Sequence, residues 1–339
     1  MSELRQDPTT GAFVIVAPER SRRPAANASA PAKLAPAPAF DAKCPFCPGN
    51  EAMLPAILAE TPGPTPPGWL VRAVPNKYPA VTPDAAPVGD SGHTVRPGYG
   101  LQEVIIESPR HDADLATMTA AKRLAVLTVY QQRFVHMWAQ ERITAVILFR
   151  NHGSRSGASL VHPHAQAIAF DMVPPRLQHL RDWGAEQMRT SGRCPTCSEL
   201  ERELAAGERI VDQSDGFVAL VPYAAECPYE VWVLPKRHHA SFADTQDAEL
   251  ADMAAVLGRA LRRLKAAHDD PPYSFAIESA GPNSDGADHL HWRLRIAPDL
   301  VNWGGFERGA GMPINPSSPE ANAAHLRVSL NDNENHARP

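Results

Sequence analysis

The sequence predicts an α+β protein built from two tandem modules, each with a mostly antiparallel sheet and one long helix. Three observations lead to this fold class. The chain has 339 residues, enough for two modules of about 170 residues each. Both halves contain short runs rich in Val and Ile, bounded by Gly and Pro, and one long helical pattern. A cysteine and histidine pattern occurs once in each half. We therefore expect modules at residues 1–180 and 181–339.

The first module is predicted to contain five strands and one helix. The strands are expected at residues 11–17, 69–74, 103–107, 145–149 and 166–170. The helix is expected at roughly residues 118–140, with four residues near its core-facing side: Leu124, Leu127, Phe134 and Trp138. Tyr130 and Met137 are expected at the edges of that side, and His136 as a partly buried residue rather than a ligand.

The second module repeats this plan. Strands are predicted at residues 217–221, 229–234, 274–278 and 292–297, and a helix at 247–267. The boundary between the modules, around 171–192, contains a basic, mildly amphipathic segment that is expected to form a linker helix at 175–189. The acidic residues of segment 198–204 are expected to lie on a solvated helix face.

Each half contains one Cys-Pro-x-Cys motif followed by two distant histidines. The first set is Cys44, Cys47, His111 and His162, and the second set is Cys194, Cys197, His238 and His291. The histidines are 51 positions apart in the first set and 53 in the second, which indicates duplication. Two thiolates and two imidazoles form the tetrahedral shell that zinc prefers, so two zinc ions per chain are predicted.

Other roles for the cysteines fit the sequence less well. A redox dithiol or a disulfide framework would not require histidines at matching intervals. Five cysteines in 339 residues are also too few for such a framework. Cys227 lies outside both sets and is expected to be an ordinary buried thiol. His289, two residues before His291, is either a surface residue or an alternative ligand.

Composition excludes several classes of function. The net charge of -5, the pI near 6.3 and the 43% hydrophobic content describe an ordinary soluble protein. No broad basic face for nucleic acid is indicated. No segment approaches the ~20 consecutive apolar residues of a membrane helix, and the N-terminus has no signal-peptide core. We therefore expect a cytoplasmic protein, in which thiols stay reduced and available for metal.

The segment 151–166 carries the candidate chemistry. Its Gly/Ser-rich turn can direct backbone N–H groups toward an anion, and His162 and His164 lie on the same side of a strand. If His162 binds metal, His164 is free to attack phosphorus and form a phosphohistidine-type intermediate. Its counterpart in the second module is Arg293. One reactive centre per chain is therefore predicted, with the second metal purely structural; otherwise His164 is a core histidine.

These motifs resemble a known family. The run from His162 through His164 to Gln166 resembles the histidine-triad signature in its transferase branch, the galactose-1-phosphate uridylyltransferase family. Its members have two histidine-triad-like halves in one chain. Segments 5–24, 44–51 and 74–79 resemble the family's opening motif, first zinc ligands and nucleotide-side loop, so the resemblance covers nearly the whole chain. The second Cys-x2-Cys resembles a two-zinc branch that includes ADP-glucose phosphorylase.

The resemblance implies roles for individual residues. His164 would be the nucleophile of a double displacement, and Gln166 would hydrogen-bond the transferring phosphoryl group. Further substrate contacts are implied for eight residues: Arg20 and Arg23 near the phosphates, Asn76 at the nucleotide, Asn151, Gly157 and Ser159 around the phosphate site, and Phe306 and Glu307 at the hexose. His152 and Arg155 could be solvent-exposed or could contact substrate.

The function expected first from the resemblance is a nucleotidyltransferase acting on a nucleotide sugar and a sugar 1-phosphate, of the UDP-glucose:hexose-1-phosphate uridylyltransferase type. The alternatives are ADP-glucose phosphorylase or a dinucleoside polyphosphate phosphorylase, and the base of the donor stays open. A nucleotide-binding or zinc-scaffold protein without turnover fits less well, because the pair His164 and Gln166 is intact. The resemblance also implies a homodimer.

Overall fold

The fold was analysed in a computed structural model that describes residues 2–22, 37–64, 68–86, 93–282 and 287–336. Within these residues the strands are β1 (Glu3–Gln6), β2 (Phe13–Val16), β3 (Ala59–Pro62), β4 (Trp69–Pro75), β5 (Gly100–Ile106), β6 (Ala145–His152), β7 (His164–Phe170), β8 (Ile210–Gln213), β9 (Phe217–Leu220), β10 (Val231–Pro235), β11 (Tyr273–Glu278), β12 (Arg293–Pro298) and β13 (Ile314–Asn315). The helices are α1 (Ala120–Trp138), α2 (Pro175–Ser191), α3 (Pro195–Ala206), α4 (Asp247–His268), α5 (Gly305–Ala310) and α6 (Pro319–His336).

Ten of the strands form one antiparallel sheet in the order β3-β4-β5-β7-β6-β11-β12-β10-β9-β8. The strands of the second half repeat the order of the first in reverse, and β6 pairs with β11 at the centre. The α+β class with a large antiparallel sheet is confirmed, and each predicted strand and helix is present. The predicted division between residues 180 and 181 falls within α2 and stays a prediction.

The long helices α1 and α4 cover one face of this sheet and pack against each other, and α6 packs against α4. Tyr130 and Met137 are fully buried in this layer, so their predicted position at the edges of the core-facing side of α1 was wrong. The buried side of α1 is wider than one stripe, because the helix packs on α4 as well as on the sheet. His136, expected to be partly buried, is exposed.

Arg123 is buried where α1 meets α4. Its guanidinium donates hydrogen bonds to four main-chain carbonyl oxygens, those of Leu115, Ala116, Met118 and Ala254. Gly258 of α4 leaves the space that this guanidinium occupies. Burial lowers the pKa of Arg123 to about 10, with a smaller contribution from the positive charge of Arg262. The charged side chain of Arg123 thus links α1 of the first half to α4 of the second half by hydrogen bonds.

The opposite face of the sheet carries both Cys-Pro-x-Cys segments. A separate three-stranded sheet, β1-β2-β13, contributes Val14 and Val16 to a small cluster with Ala224. The prediction that the acidic residues of α3 are solvated is partly wrong. Glu199 and Glu203 are buried, and Glu203 pairs with Arg209 at 2.8 Å. In the described parts of the chain, no helix is both long and apolar enough to cross a bilayer.

Candidate functional site

The first predicted metal set comes together in space. Cys44, Cys47, His111 and His162 offer ligand atoms within 4.8 Å of one another, and all four residues are buried. Each measured Sγ to Nδ1 distance lies between 3.5 and 3.7 Å. A tetrahedral zinc with ordinary Zn–S and Zn–N bonds separates sulfur from nitrogen by about 3.6 Å. The donor set and its spacing therefore fit zinc.

The second set also converges. The Sγ of Cys197 lies 3.1 Å from His238 Nδ1 and 3.4 Å from His291 Nδ1, and Cys194 completes the cluster. Cys197 and His238 are half-buried, so this cluster is nearer to solvent than the first. His289 lies outside the cluster and packs against Gly184 of α2. The structure therefore groups His291, rather than His289, with the other three donors.

One histidine of each set is oriented by the same kind of contact. His162 Nε2 donates to Ser108 O at 2.7 Å, and His291 Nε2 donates to Pro235 O at 2.9 Å. A proton on Nε2 leaves Nδ1 with a free lone pair toward the sulfur atoms, which is the usual arrangement of metal-binding histidines. Burial lowers the pKa of His162 to about 4, so its imidazole is neutral and able to bind metal at neutral pH.

His164 is the first residue of β7, where it pairs with Ile106 of β5. Its Nδ1 donates to His162 O at 2.8 Å, which leaves Nε2 unprotonated in the neutral ring. The side chain is buried, its ring meets Phe46 edge-on at 5.3 Å, and burial lowers its pKa. The imidazole therefore has the tautomer and protonation state that a nucleophile needs.

His164 and Gln166 line a cavity of about 300 Å³. The other lining residues are mostly apolar: Pro45, Phe46, Met53, Leu54, Pro55, Val74, Pro75, Asn76, Lys77, Tyr78, Val104, Ser159 and Leu160. Gln166 Oε1 accepts hydrogen bonds from Asn76 Nδ2 at 3.2 Å and Gln102 Nε2 at 2.9 Å. The NH₂ group of Gln166 is thereby left to donate into the cavity.

Gln102 was not among the predicted site residues. Its side chain lies on the same face of β5 as those of Val104 and Ile106, which pair with Gln166 and His164. The sequence signal for Gln102 was a polar residue two positions before Val104, because side chains two residues apart share one face of a strand.

The predicted phosphate turn lies beside this cavity. Gly153 and Gly157 adopt φ angles of 80° and 90°, which L-residues rarely adopt. A second cavity of about 270 Å³ is lined by Asn151 and Ser159 together with the turn, and Ser159 borders both cavities. A Cβ on Gly157 would lie 3.1 Å from Asn151 Nδ2. The structure therefore brings Asn151, Gly157 and Ser159 together.

Three other residues implied by the resemblance, Arg20, Phe306 and Glu307, do not line either cavity. Arg20 is exposed on the turn Pro18–Arg22, and Arg23 lies outside the described residues. Phe306 is exposed on α5, and Glu307 Oε2 accepts a hydrogen bond from Gly304 N at 3.0 Å at the start of that helix.

His152 and Arg155, whose roles the sequence left undecided, both have partners within the chain. His152 Nε2 lies 3.0 Å from Asp270 Oδ1. Arg155 pairs with Asp299 at 3.4 Å and donates to Asn302 at 3.0 Å.

The position equivalent to His164 holds no nucleophile in the second module. Arg293 Nε pairs with Glu278 at 2.7 Å, and Nη1 donates to Thr9 Oγ1 at 2.8 Å. Its guanidinium also lies over the Trp232 ring at 3.7 Å. With these contacts Arg293 is almost completely buried.

Comparison with known proteins finds relatives over nearly the whole chain. The family described as galactose-1-phosphate uridyl transferase matches the chain with its N-terminal domain at residues 1–174 and its C-terminal domain at 148–302. ADP-glucose phosphorylase of Arabidopsis thaliana is 32% identical over 97% of this chain and 93% of its own length. Galactose-1-phosphate uridylyltransferase of Thermotoga maritima is 28% identical, over 96% of this chain and 98% of its own.

Solved structures lead to the same group. The crystal structure of an ADP-glucose phosphorylase from Arabidopsis thaliana with bound ADP-glucose has a TM-score of 0.83 and 31% identity, covering 96% of this chain and 98% of that one. A uridylyltransferase structure has a TM-score of 0.76 and 28% identity, covering 98% and 99%. Given the matched domains and these relatives, the chain belongs to the galactose-1-phosphate uridyl transferase family of nucleotidyltransferases.

Proposed function

We propose that the protein transfers a nucleoside monophosphate from a nucleoside diphosphate hexose to a phosphate acceptor through a covalent intermediate on His164. One observation carries this proposal. The hydrogen bond from His164 Nδ1 to the His162 carbonyl leaves Nε2 unprotonated, and the same side chain lines the cavity beside the amide of Gln166.

The chemistry consists of two displacements at one phosphorus atom. In the first, the Nε2 lone pair of His164 attacks the α-phosphorus, the bond to the bridging oxygen breaks, and sugar 1-phosphate leaves. In the second, an acceptor phosphate oxygen attacks the same phosphorus and the P–N bond breaks. Gln166 donates to a non-bridging oxygen, and Asn151, Gly157 and Ser159 surround the phosphates. Each such donor typically contributes about 10²–10³ in rate.

Two zinc ions are proposed as resident cofactors, one in each Cys₂His₂ set. Zinc supplies structural cross-linking here rather than chemistry at phosphorus, because His162 would be held by the first ion while its carbonyl orients His164. The thiols must stay reduced for this, which favours the cytoplasm.

A homodimer is proposed from the family resemblance. Phe306 is exposed and Glu307 half-buried, and neither lines the two cavities of its own chain.

ADP-glucose phosphorolysis is the reaction we favour, with inorganic phosphate as acceptor and ADP and glucose 1-phosphate as products. The Arabidopsis relative with this name matches nearly the whole chain at 32% identity. A residue at the implied hexose position also supports it. Phe306 has no hydroxyl group with which to hydrogen-bond an acceptor hexose.

Galactose-1-phosphate uridylyltransfer is the second candidate. It is favoured by the domain matches and by the Thermotoga maritima relative. The two candidates differ in the base that enters the apolar cavity and in the acceptor that removes the nucleotidyl group.

Labelling without acceptor tests the proposal. The protein is incubated separately with ADP-glucose and UDP-glucose, each radiolabelled at the α-phosphate, then denatured and counted. We expect stable label from ADP-glucose, released as ADP by inorganic phosphate, and no label on His164→Gly. Label from UDP-glucose alone, released by galactose 1-phosphate, would support the second candidate. Label retained on His164→Gly would contradict the assigned nucleophile.

A further inference from the structure

A buried ion pair lies on the helix-covered face of the sheet, behind the strand that carries His164. Arg150 Nε donates to both carboxylate oxygens of Glu107 at 3.0 Å, and the two side chains are 2% and 0% exposed. The hydroxyl of Tyr130 on α1 also donates to Glu107, and Arg150 Nη1 donates to the hydroxyl of Tyr273. Glu107, just after β5, is thereby fixed to α1, β6 and β11.

Glu107 and Ser108 hold the turn that leads into β7. The N–H of Glu107 donates to Pro163 O at 3.1 Å, and Ser108 O accepts from His162 Nε2 at 2.7 Å. The carbonyl of His162 in turn accepts the proton of His164 Nδ1. A shift of the main chain at Glu107 would therefore move the acceptor that sets the tautomer of His164.

The second module supplies an internal comparison. Ala165 and Leu294 are equivalent, since each lies three residues after a proposed metal ligand. Ala165 pairs with Arg150 on β6, whereas Leu294 pairs with Ile277 on β11. On β10, one residue beyond the position equivalent to Ile106, the counterpart of Glu107 is Pro235, which has no carboxylate. The module without a reactive histidine thus has apolar residues where the reactive module has an ion pair.

This difference is informative because a buried ion pair is seldom required for stability. Replacing such a pair by apolar residues of similar size is often neutral or stabilising. The second module shows that the same sheet and helix arrangement forms without the pair. Its presence behind the reactive histidine therefore calls for a role in the site.

We infer that Glu107 and Arg150 are positioning residues that hold the His162–His164 turn so that His164 keeps its proton on Nδ1. The inference rests on the proposed function, because it takes His164 as the nucleophile. The pair does not touch substrate. Its effect reaches the site through the main chain of Glu107, Pro163 and His162.

The test replaces the pair by apolar residues, with Ile at position 150 because Ile277 is its counterpart in the second module. In Glu107→Leu/Arg150→Ile we expect two zinc equivalents and cooperative unfolding to persist. The rate of label transfer to His164 should fall by about 10²-fold, the scale of a small misplacement of a reacting group, while KM for the donor changes less than about threefold. Nitrogen NMR of ¹⁵N-histidine protein should show His164 as a mixture of tautomers instead of Nδ1–H alone.

Two further variants keep the test decisive. Glu107→Gln/Arg150→Met leaves no unpaired buried charge and keeps a partner for the Tyr130 hydroxyl; it serves in case the first double variant does not fold, and it should also mix the tautomers. Glu103→Leu/Arg133→Met removes another buried pair, which joins β5 to α1 at 2.7 Å, and should leave labelling and tautomer unchanged. Wild-type labelling and tautomer in Glu107→Leu/Arg150→Ile, or an equal loss in the control, would overturn the inference.

Labelling of the wild type separates this inference from the proposed function. A wild-type protein that neither donor labels would overturn the proposed function. The tautomer measurement does not depend on turnover, so an unchanged His164 signal in the folded variants would overturn the positioning role by itself.

Discussion

Gly258→Ala should destabilise the protein strongly, because the added methyl group would overlap a buried charge. Its Cβ would lie 2.2 Å from Arg123 Cζ and 2.4 Å from Nη2, whereas non-bonded carbon atoms prefer roughly 3.5–4.0 Å. The guanidinium would have to move by more than about 1 Å. It is only 1% exposed and has four carbonyl partners, so such a movement breaks hydrogen bonds.

The expected loss follows from those hydrogen bonds. A hydrogen bond to a charged group contributes about 1.5–3 kcal/mol, so losing two of the four costs about 3–6 kcal/mol. Alanine regains about 1 kcal/mol of helix propensity over glycine. The net loss of about 2–5 kcal/mol is a large part of the ~5–15 kcal/mol that stabilises a typical domain.

Urea unfolding of the purified variants measures this loss. Gly309→Ala is a matched control on α5, because its added Cβ meets no atom within 4 Å; it should be neutral or slightly stabilising. Arg123→Met in the Gly258→Ala background should recover part of the loss, giving a favourable coupling in a double-mutant cycle. A Gly258→Ala protein as stable as wild type would refute the described packing between α1 and α4.

Three further outcomes are expected. Cys194→Ser should reduce bound zinc from two equivalents to one and leave His164 labelled; metal analysis that still gives two would contradict the second site. Gln102→Leu removes a 2.9 Å hydrogen bond to Gln166 and should slow labelling about tenfold, an effect of about 1.4 kcal/mol. An unchanged rate would show that Gln166 does not need this hydrogen bond for its orientation. Burial lowers the pKa of His268 to about 4 from about 6.5 in the unfolded chain. The unfolded chain therefore binds a proton that the native protein does not, and stability falls as pH drops from about 6.5 to about 4; His268→Phe should flatten this slope in urea unfolding at a series of pH values, and an equally steep slope would argue against it.

The metal sets could be predicted because their chemistry depends on residue type and not on surroundings. Cys47 and His111 are 64 positions apart in sequence, yet their ligand atoms lie 3.5 Å apart. Few other roles require two thiols and two imidazoles at repeated intervals. The strands and long helices were predictable for a similar reason, since periodicity follows from which face is buried.

Tertiary context decided what the sequence could not show. Glu203 looks like a surface residue of an acidic helix, but Arg209, six residues later, pairs with it after the chain turns back. Glu307 Oε2 accepts from Gly304 N at the start of α5, a capping contact that the sequence motif alone did not indicate. Gln102 becomes visible as a site residue only when the β5–β7 register is known.

The pairing of β6 with β11 has a consequence for how such a site can change. In a symmetric assembly of identical chains, one codon specifies the same position in every subunit, so a substitution alters all copies of a site together. Here the two halves of the sheet are encoded separately and remain joined at any protein concentration. One half can therefore keep His164 while the other replaces its counterpart with Arg293, and neither change has to be tolerated twice.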